Sequence, residues 1–297
     1  MRNLSFLAVL LVAIPLGAQT LRDDMVVSTE WLSGNLENVT LIEIGDRDSF
    51  DSAHLPGAQL IERDNLVVRR GSIPNELPPV AALEALFSRV GAGNGGRIVL
   101  YSRDPILAAR AWFTLDYLGH AARASILDGG FAKWAGEGRE TTTELTLVEP
   151  VMFHGRPNLT AVVPFKTMKS LVRWRQELAS NLVMIDSRSP NQFRGVEAGP
   201  DVSRPGHIPG AVSVPWDENF TAGAVQRLLP ERELRELYAE SGVSHKSTNV
   251  AYCRTGMQAA VTYFVLRYLG YGGMLYDGSF VEWSGESGTK VTAASVR

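Results

Sequence analysis

The two halves of this 297-residue chain align on one another at a fixed offset of 151 residues, and that duplication limits the possible folds more than any single motif does. PVAALEALFSRVG from Pro79 falls on PERELRELYAESG from Pro230, with Leu83 on Leu234, Leu86 on Leu237, Phe87 on Tyr238 and Gly91 on Gly242. The same register sets Tyr101 on Tyr252, Arg103 on Arg254, Phe113 on Phe264 and Tyr117-Leu118-Gly119 on Tyr268-Leu269-Gly270. To either side the offset changes, as insertions in loops between structural elements would make it. His54-Leu55-Pro56-Gly57-Ala58 matches His207-Ile208-Pro209-Gly210-Ala211 at 153, and Asp128-Gly129-Gly130-Phe131 matches Asp277-Gly278-Ser279-Phe280 at 149. The period is far longer than that of solenoid repeats, so the chain reads as two globular domains in tandem, residues 22–142 and 158–297, joined by a linker over 143–157.

Within each copy, short apolar runs alternate with amphipathic segments, the pattern of parallel strands joined by crossover helices. In the second copy LVMID (182–186) and TNVAY (248–252) read as buried strands. Gln258 to Tyr268 reads as a helix with Val261, Phe264, Val265 and Tyr268 on one face. The expected fold class is α/β, twice over, each domain a mainly parallel sheet with helices on both faces. Ligands in such sheets collect at the carboxyl ends of the strands, which directs attention to the residues after LVMID and after NVAY.

A hydrophobic content of 45% is enough for a core in each half, and a net charge of −3 with pI near 6.0 gives none of the basic footprint that nucleic acid attracts. Arg2, the apolar run Phe6 to Leu16 and the small residues Gly17 and Ala18 have the shape of a secretory signal peptide over residues 1–20. The run is short for a membrane span, so an exported, periplasmic or secreted protein without stable membrane insertion after signal cleavage is expected, with an uncleaved N-terminal anchor as the alternative. Export would permit disulfides, yet the chain has one cysteine and cannot cross-link itself.

That cysteine, Cys253, lies between a strand and a helix in Tyr252-Cys253-Arg254-Thr255-Gly256-Met257-Gln258. A loop closing onto a helix start presents unpaired N–H groups and the positive end of the dipole, which favour a thiolate or a bound anion. Arg254 adds a full charge beside the sulfur, and Gly256 permits a tight curl. Free cysteine is often inert packing. The glycine-containing turn and neighbouring arginine argue for a nucleophile instead.

CRTGMQ from Cys253, DSRSPNQFRG from Asp186, HIPGA from His207 and YDGSFVEW from Tyr276 together resemble the rhodanese superfamily, in the arrangement of its tandem-domain thiosulfate sulfurtransferases. The resemblance implies two tandem rhodanese-like domains and a two-step reaction. The Cys253 thiolate attacks the outer sulfur of thiosulfate, sulfite leaves, and the persulfide passes its sulfur to cyanide or a thiol, either a small molecule or a protein acceptor. It also implies that Arg254, Thr255, Gly256, Met257 and Gln258 form the substrate-binding loop. Arg188 would grip the anionic end of the donor with its forked guanidinium. Asp186 would orient the loop, and Trp216 would support the pocket wall. Vertebrate thiosulfate enzymes of the family carry lysine where Thr255 stands, which removes one cationic anchor. Mercaptopyruvate-specific relatives have glycine after the cysteine, so Arg254 leans toward thiosulfate. The first copy has Ser102 at the cysteine position, followed by Asp104 and Pro105, and is expected to be a non-catalytic partner that helps close the site.

Other signals carry less. The paired His54 and His207 turns recur in the copy without the cysteine and so read as structural. No metal-ligand spacing occurs, and neither metal nor cofactor is expected. A cysteine phosphatase would need an arginine six residues after its cysteine, and Ala259 stands there. The alternatives that stay open are a 3-mercaptopyruvate sulfurtransferase and a non-turnover periplasmic sulfur carrier or polysulfide-binding protein.

Overall fold

The computed structural model describes residues 23–174 and 181–293. The signal-peptide expectation for residues 1–20 lies outside them. Among the described residues no helix is long and apolar enough to cross a membrane.

In the first copy the strands are β1 (Val26–Val27), β2 (Val39–Gly45), β3 (Gln59–Glu62), a hairpin β4 (Val68–Arg70) and β5 (Ile73–Glu76), β6 (Arg97–Tyr101) and β7 (Ala124–Leu127). The second copy supplies β8 (Leu182–Asp186), β9 (Val212–Ser213), β10 (Thr248–Tyr252) and β11 (Met274–Leu275). The larger sheets run β1-β7-β6-β2-β3 and β11-β10-β8-β9, with parallel pairing throughout. The apolar runs are therefore central strands buried on both faces, as in all-parallel sheets generally. β2 pairs Glu43 with Tyr101 of β6, and β8 pairs Asp186 with Tyr252 of β10, so Glu43 and Asp186 are structural equivalents.

The histidine turns fasten each copy in the same way. His54 Nδ1 meets the Phe50 carbonyl at 2.8 Å and the two rings stack at 3.8 Å; His207 does the same with Phe193 at the same two distances. Each histidine also bridges in antiparallel fashion to a later threonine, Thr142 or Thr292, tying the end of its domain back to its middle.

The helix expected from Gln258 starts at Ala259 and runs to Tyr268, and it is not amphipathic in place: every residue from Ala259 to Leu266 is buried. Its counterpart in the first copy, Pro105–Tyr117, is buried from Ala108 to Asp116. The two helices pack on one another across the seam, Trp112 edge-on to Phe264 at 5.1 Å and Phe113 edge-on to Tyr263 at 5.0 Å. A helix covered by its own sheet on one side and by a second domain on the other has no polar face to keep. The principal core consequently spans both copies.

The segment 143–157, expected as a linker, is laid along the first copy. Val151 N–H donates to the Ser88 carbonyl, Gly155 N–H to Glu84 Oε1 and Arg156 N–H to the Leu118 carbonyl, while Phe153 is buried against Phe87.

Two aspartates from the duplicated DG motif reach across the seam reciprocally. Asp277 accepts from Arg110 Nη1 and from the Leu77 N–H, both at 2.7 Å. Asp128 accepts from Arg227 Nε at 2.9 Å and the Leu228 N–H at 3.0 Å. The motif thus holds the two domains together once in each direction.

Candidate active site

Cys253 follows the last residue of β10 and lies at the base of a cleft of about 230 Å³ between the copies. It exposes only 1% of its surface, yet it lines the cleft with Arg254, Thr255, Met257 and Gln258. Ser279 Oγ accepts from the Cys253 N–H at 3.3 Å, and the Cys253 carbonyl accepts from the Phe280 N–H at 3.0 Å, which fixes the backbone at this point. The next five N–H groups, from Arg254 to Gln258, donate to no acceptor among the described residues. They curl ahead of the helix Ala259–Tyr268, which has no side-chain cap. A run of unpaired amides at a helix start can hold an anion, and Cys253 directly precedes this one.

The curl depends on Gly256. Its φ is +85°, and a β-carbon there would stand 2.7 Å from Asp277 Oδ1 and 2.8 Å from the Asp277 carbonyl. Both the left-handed backbone and the close approach exclude any larger residue. The aspartate behind the glycine is the one that Arg110 of the first copy holds, so the second copy's loop is backed by a contact across the seam.

The opposite wall belongs to the first copy. Arg63, Asn75, Asp104, Ile106 and Leu107 line the cleft from that side. In register, Asp104, Ile106 and Leu107 are the counterparts of Thr255, Met257 and Gln258, so the two equivalent loops face one another. Asn75 donates from Nδ2 to Thr255 Oγ1 at 2.9 Å, while its carbonyl accepts from Arg110 Nη2 at 2.8 Å. Its φ of 63° suits asparagine, one of the few residues that tolerate this region. Burial raises the pKa of Asp104 above its ordinary value, against the opposing pull of the Ile106 N–H and the Arg63 charge.

Arg254 is half-buried and reaches over Gly199 to donate from Nη1 to the Pro200 carbonyl at 3.2 Å. Gln192 lies over the same glycine and lines the cleft. Arg188 does not line it: it is fully buried, with Nε and Nη2 paired and Nη1 left without a hydrogen-bond partner among the described residues. Its Nε and Nη2 take the Asp186 carboxylate at 2.9 and 2.6 Å, and Nη2 also donates to the Gly206 carbonyl at 2.7 Å. Burial opposes the charge on Arg188, but the hydrogen bonds and charge of Asp186, followed by Tyr252 and Cys253, outweigh it and raise the pKa. Trp216, expected to support the pocket wall, does not line the cleft either. It opens a short turn of helix, packs edge-on to Phe220 at 6.1 Å, and belongs to the shared core rather than the cleft. Trp283 is buried as well, with Nε1 donating to the Lys290 carbonyl.

The residues missed in the sequence are therefore Gln192 and the first-copy wall. Gln192 is four residues beyond Arg188 in a segment already singled out, one turn along the helix Pro190–Arg194. Arg63 and Asn75 carry no local signal, because only domain docking brings them to Cys253. Among the described residues no three His, Cys, Asp or Glu side chains are grouped to hold a metal ion.

Comparison with known proteins gives one consistent result. The family model described as "Rhodanese-like domain" matches residues 28–137 and 170–286. A curated protein of Saccharopolyspora erythraea named "Putative thiosulfate sulfurtransferase" is 32% identical over 91% of this chain and 96% of its own length. The "Sulfur carrier protein TtuD" of Thermus thermophilus is 31% identical over 90% of this chain and 96% of its own. Among solved structures, SseA from Escherichia coli, described as a 3-mercaptopyruvate sulfotransferase of "Rhodanese" fold, superposes with a TM-score of 0.75 at 25% identity, covering 86% of this chain and 98% of that one.

Proposed function

The chain belongs to the rhodanese-like domain family, and on that premise we propose that it is a sulfurtransferase that carries sulfane sulfur on Cys253, with thiosulfate as donor. The observation that carries this reading is the position of the only cysteine immediately before five amides that are unpaired among the described residues at a helix start. In the first step the Cys253 thiolate attacks the outer sulfur of thiosulfate. The sulfur–sulfur bond of the donor breaks, sulfite leaves with the electron pair, and a new bond forms to the cysteine sulfur. In the second step cyanide or a thiolate takes the terminal sulfur and returns Cys253 to the thiolate. The loop amides balance the charge of the persulfide, and Arg254, with Arg63 facing it, meets the sulfonate end of the donor. The relative named as a thiosulfate sulfurtransferase supports this choice of donor.

Thiocyanate formed from thiosulfate and cyanide by the purified protein, beside its Cys253→Ser variant and with mercaptopyruvate in parallel, tests the reading. Turnover by the wild type alone is expected, faster with thiosulfate. Preference for mercaptopyruvate would replace the donor. A second reading, a sulfur carrier that delivers to a protein acceptor, is favoured by the similarity to TtuD and by the near-complete burial of Cys253. A persulfide on Cys253 detected by mass, without turnover on either donor, would select it. We also propose export on the strength of the N-terminal segment, to be read by N-terminal sequencing of the protein recovered from its cell.

A further inference from the structure

The duplicated DG motif stands in surroundings of opposite charge in the two copies. Around Asp128 the neighbours are cations, Arg227 at 2.9 Å and Lys133 at 3.6 Å. The counterparts of those two residues are carboxylates: Arg227 falls on Glu76 at offset 151, and Lys133 falls on Glu282 at offset 149. Asp277 is paired by Arg110 at 2.7 Å and Glu76 by Arg70 at 3.3 Å, which leaves Glu282 with no ion pair among the described residues. The Glu282 carboxylate folds over Gly278, where a β-carbon would collide with Oε2. Burial raises the pKa of Glu282 against the opposing pull of Tyr276, and the charges of Glu286 and Asp277 add to the rise. Burial and then Asp277 raise that of Glu76, against the pull of Arg70. Tyr276 is fully buried beside this group. Glu282 is the charge that acts on it most, yet the Tyr276 hydroxyl has no hydrogen-bond partner among the described residues.

Glu76, Asp277 and Glu282 line one cavity of about 530 Å³ on the seam, and none of its lining residues lines the Cys253 cleft. Much of the remaining wall is apolar or aromatic and comes from both copies: Leu77, Pro79 and Tyr117 from the first, Val163 and Phe165 from the second. Lys169, exposed, lies over the Phe165 ring with Nζ 5.9 Å from the centroid and pairs with no carboxylate among the described residues. The three carboxylates are not grouped to hold a metal ion. We infer that this cavity is a binding site for an organic ammonium ion, one positive charge on an apolar or aromatic body, with the charge against Glu282 and the body against Tyr117 and Phe165. The physical reason is that a half-buried carboxylate set beside a second one is costly until a cation joins them, which Lys133 does within the first copy and no side chain does within the second. Aromatic faces attract the same ligand, and a cavity with apolar walls and a few convergent polar groups suits its body.

Calorimetric titration of the full chain with 2-phenylethylammonium and with 2-phenylethanol, which has the same body without the charge, tests the inference independently of sulfur transfer. The ammonium should bind the wild type at least about tenfold more tightly than the alcohol. Glu282→Gln keeps the shape and removes the charge, so it should erase that preference and leave the affinity for the alcohol within about twofold of wild type. Cys253→Ser should change neither affinity, because the cavity shares no wall with the cleft; loss of ammonium binding in that variant would place the probe at Cys253 and overturn the inference. Absence of any preference for the ammonium in the wild type overturns it as well, as does a preference that survives Glu282→Gln. Should Glu282→Gln fail to fold, Glu76→Gln takes its place. It removes a neighbouring carboxylate and frees Arg70, so the preference should fall, and an unchanged preference overturns the inference.

Discussion

The Ser102 loop and the Cys253 loop leave equivalent strands, yet one is closed by its own atoms and the other is open. In the first copy Ser102 Oγ accepts from the Asp104 N–H at 3.1 Å, Asp104 Oδ1 accepts from the Ile106 N–H at 2.9 Å, and the Asp104 carbonyl accepts from the Leu107 N–H at 3.0 Å. Pro105 has no N–H to offer. In the second copy threonine and glycine take the places of Asp104 and Pro105, and all five amides stay unpaired among the described residues. A helix start holds an anion only while its donors are free, so two substitutions retire one loop as completely as the loss of its cysteine does. The closed loop nevertheless keeps a use, as the wall facing Cys253.

The sharpest way to break this comparison is to exchange the nucleophiles. Cys253→Ser should reduce thiocyanate formation to that of the reagents without protein. Adding Ser102→Cys to that variant should restore nothing, because the first loop keeps one unpaired amide, that of Arg103, where the second keeps five. Restored turnover would mean that the cysteine alone makes the site. Next in size is the seam. Arg110→Ala strips the cation from buried Asp277 and should cost about 3–5 kcal/mol in a urea melt, whereas Arg227→Ala, at the exposed mirror pair, should cost at most about 1 kcal/mol. Equal losses would show that the reciprocity is energetic as well as geometric.

Smaller effects probe the closed loop itself. Asp104→Ala removes the cap of the helix Pro105–Tyr117 and should destabilise by about 0.5–2 kcal/mol. Asp104→Asn keeps a capping oxygen and removes the titration. Because burial raises the folded-state pKa of Asp104, the stability its acid form contributes is fully present below its ordinary value of 3.8 and is lost as pH rises through the raised one. Thermal melts should therefore show the asparagine variant slightly above wild type at neutral pH, with the two converging in acid. A constant gap across the range would mean that Asp104 does not titrate abnormally.

The duplication, the α/β class and the cysteine loop were legible because each is local: a register, an alternation, and a strand–glycine–helix sequence. The pairing of Arg188 was less legible for a related reason. Asp186-Ser187-Arg188 shows that an arginine is near the cleft in the chain, but two residues of separation also allow it to fold back on the aspartate, and burial chose that outcome. The helix Ala259–Tyr268 was given one apolar face when both sides are covered, since nothing in its own sequence reports the partner helix.

By itself the sequence decided that there would be two copies of one domain and that only the second has a cysteine in its strand–helix loop, because strand pattern, glycine placement and cysteine position are properties of consecutive residues. Tertiary structure alone decided which arginine faces the cleft and which side chains form its far wall. The first rests on Arg188 burying its charge against Asp186, and the second on the docking of two domains, which joins residues whose distance along the chain says nothing of their distance in space.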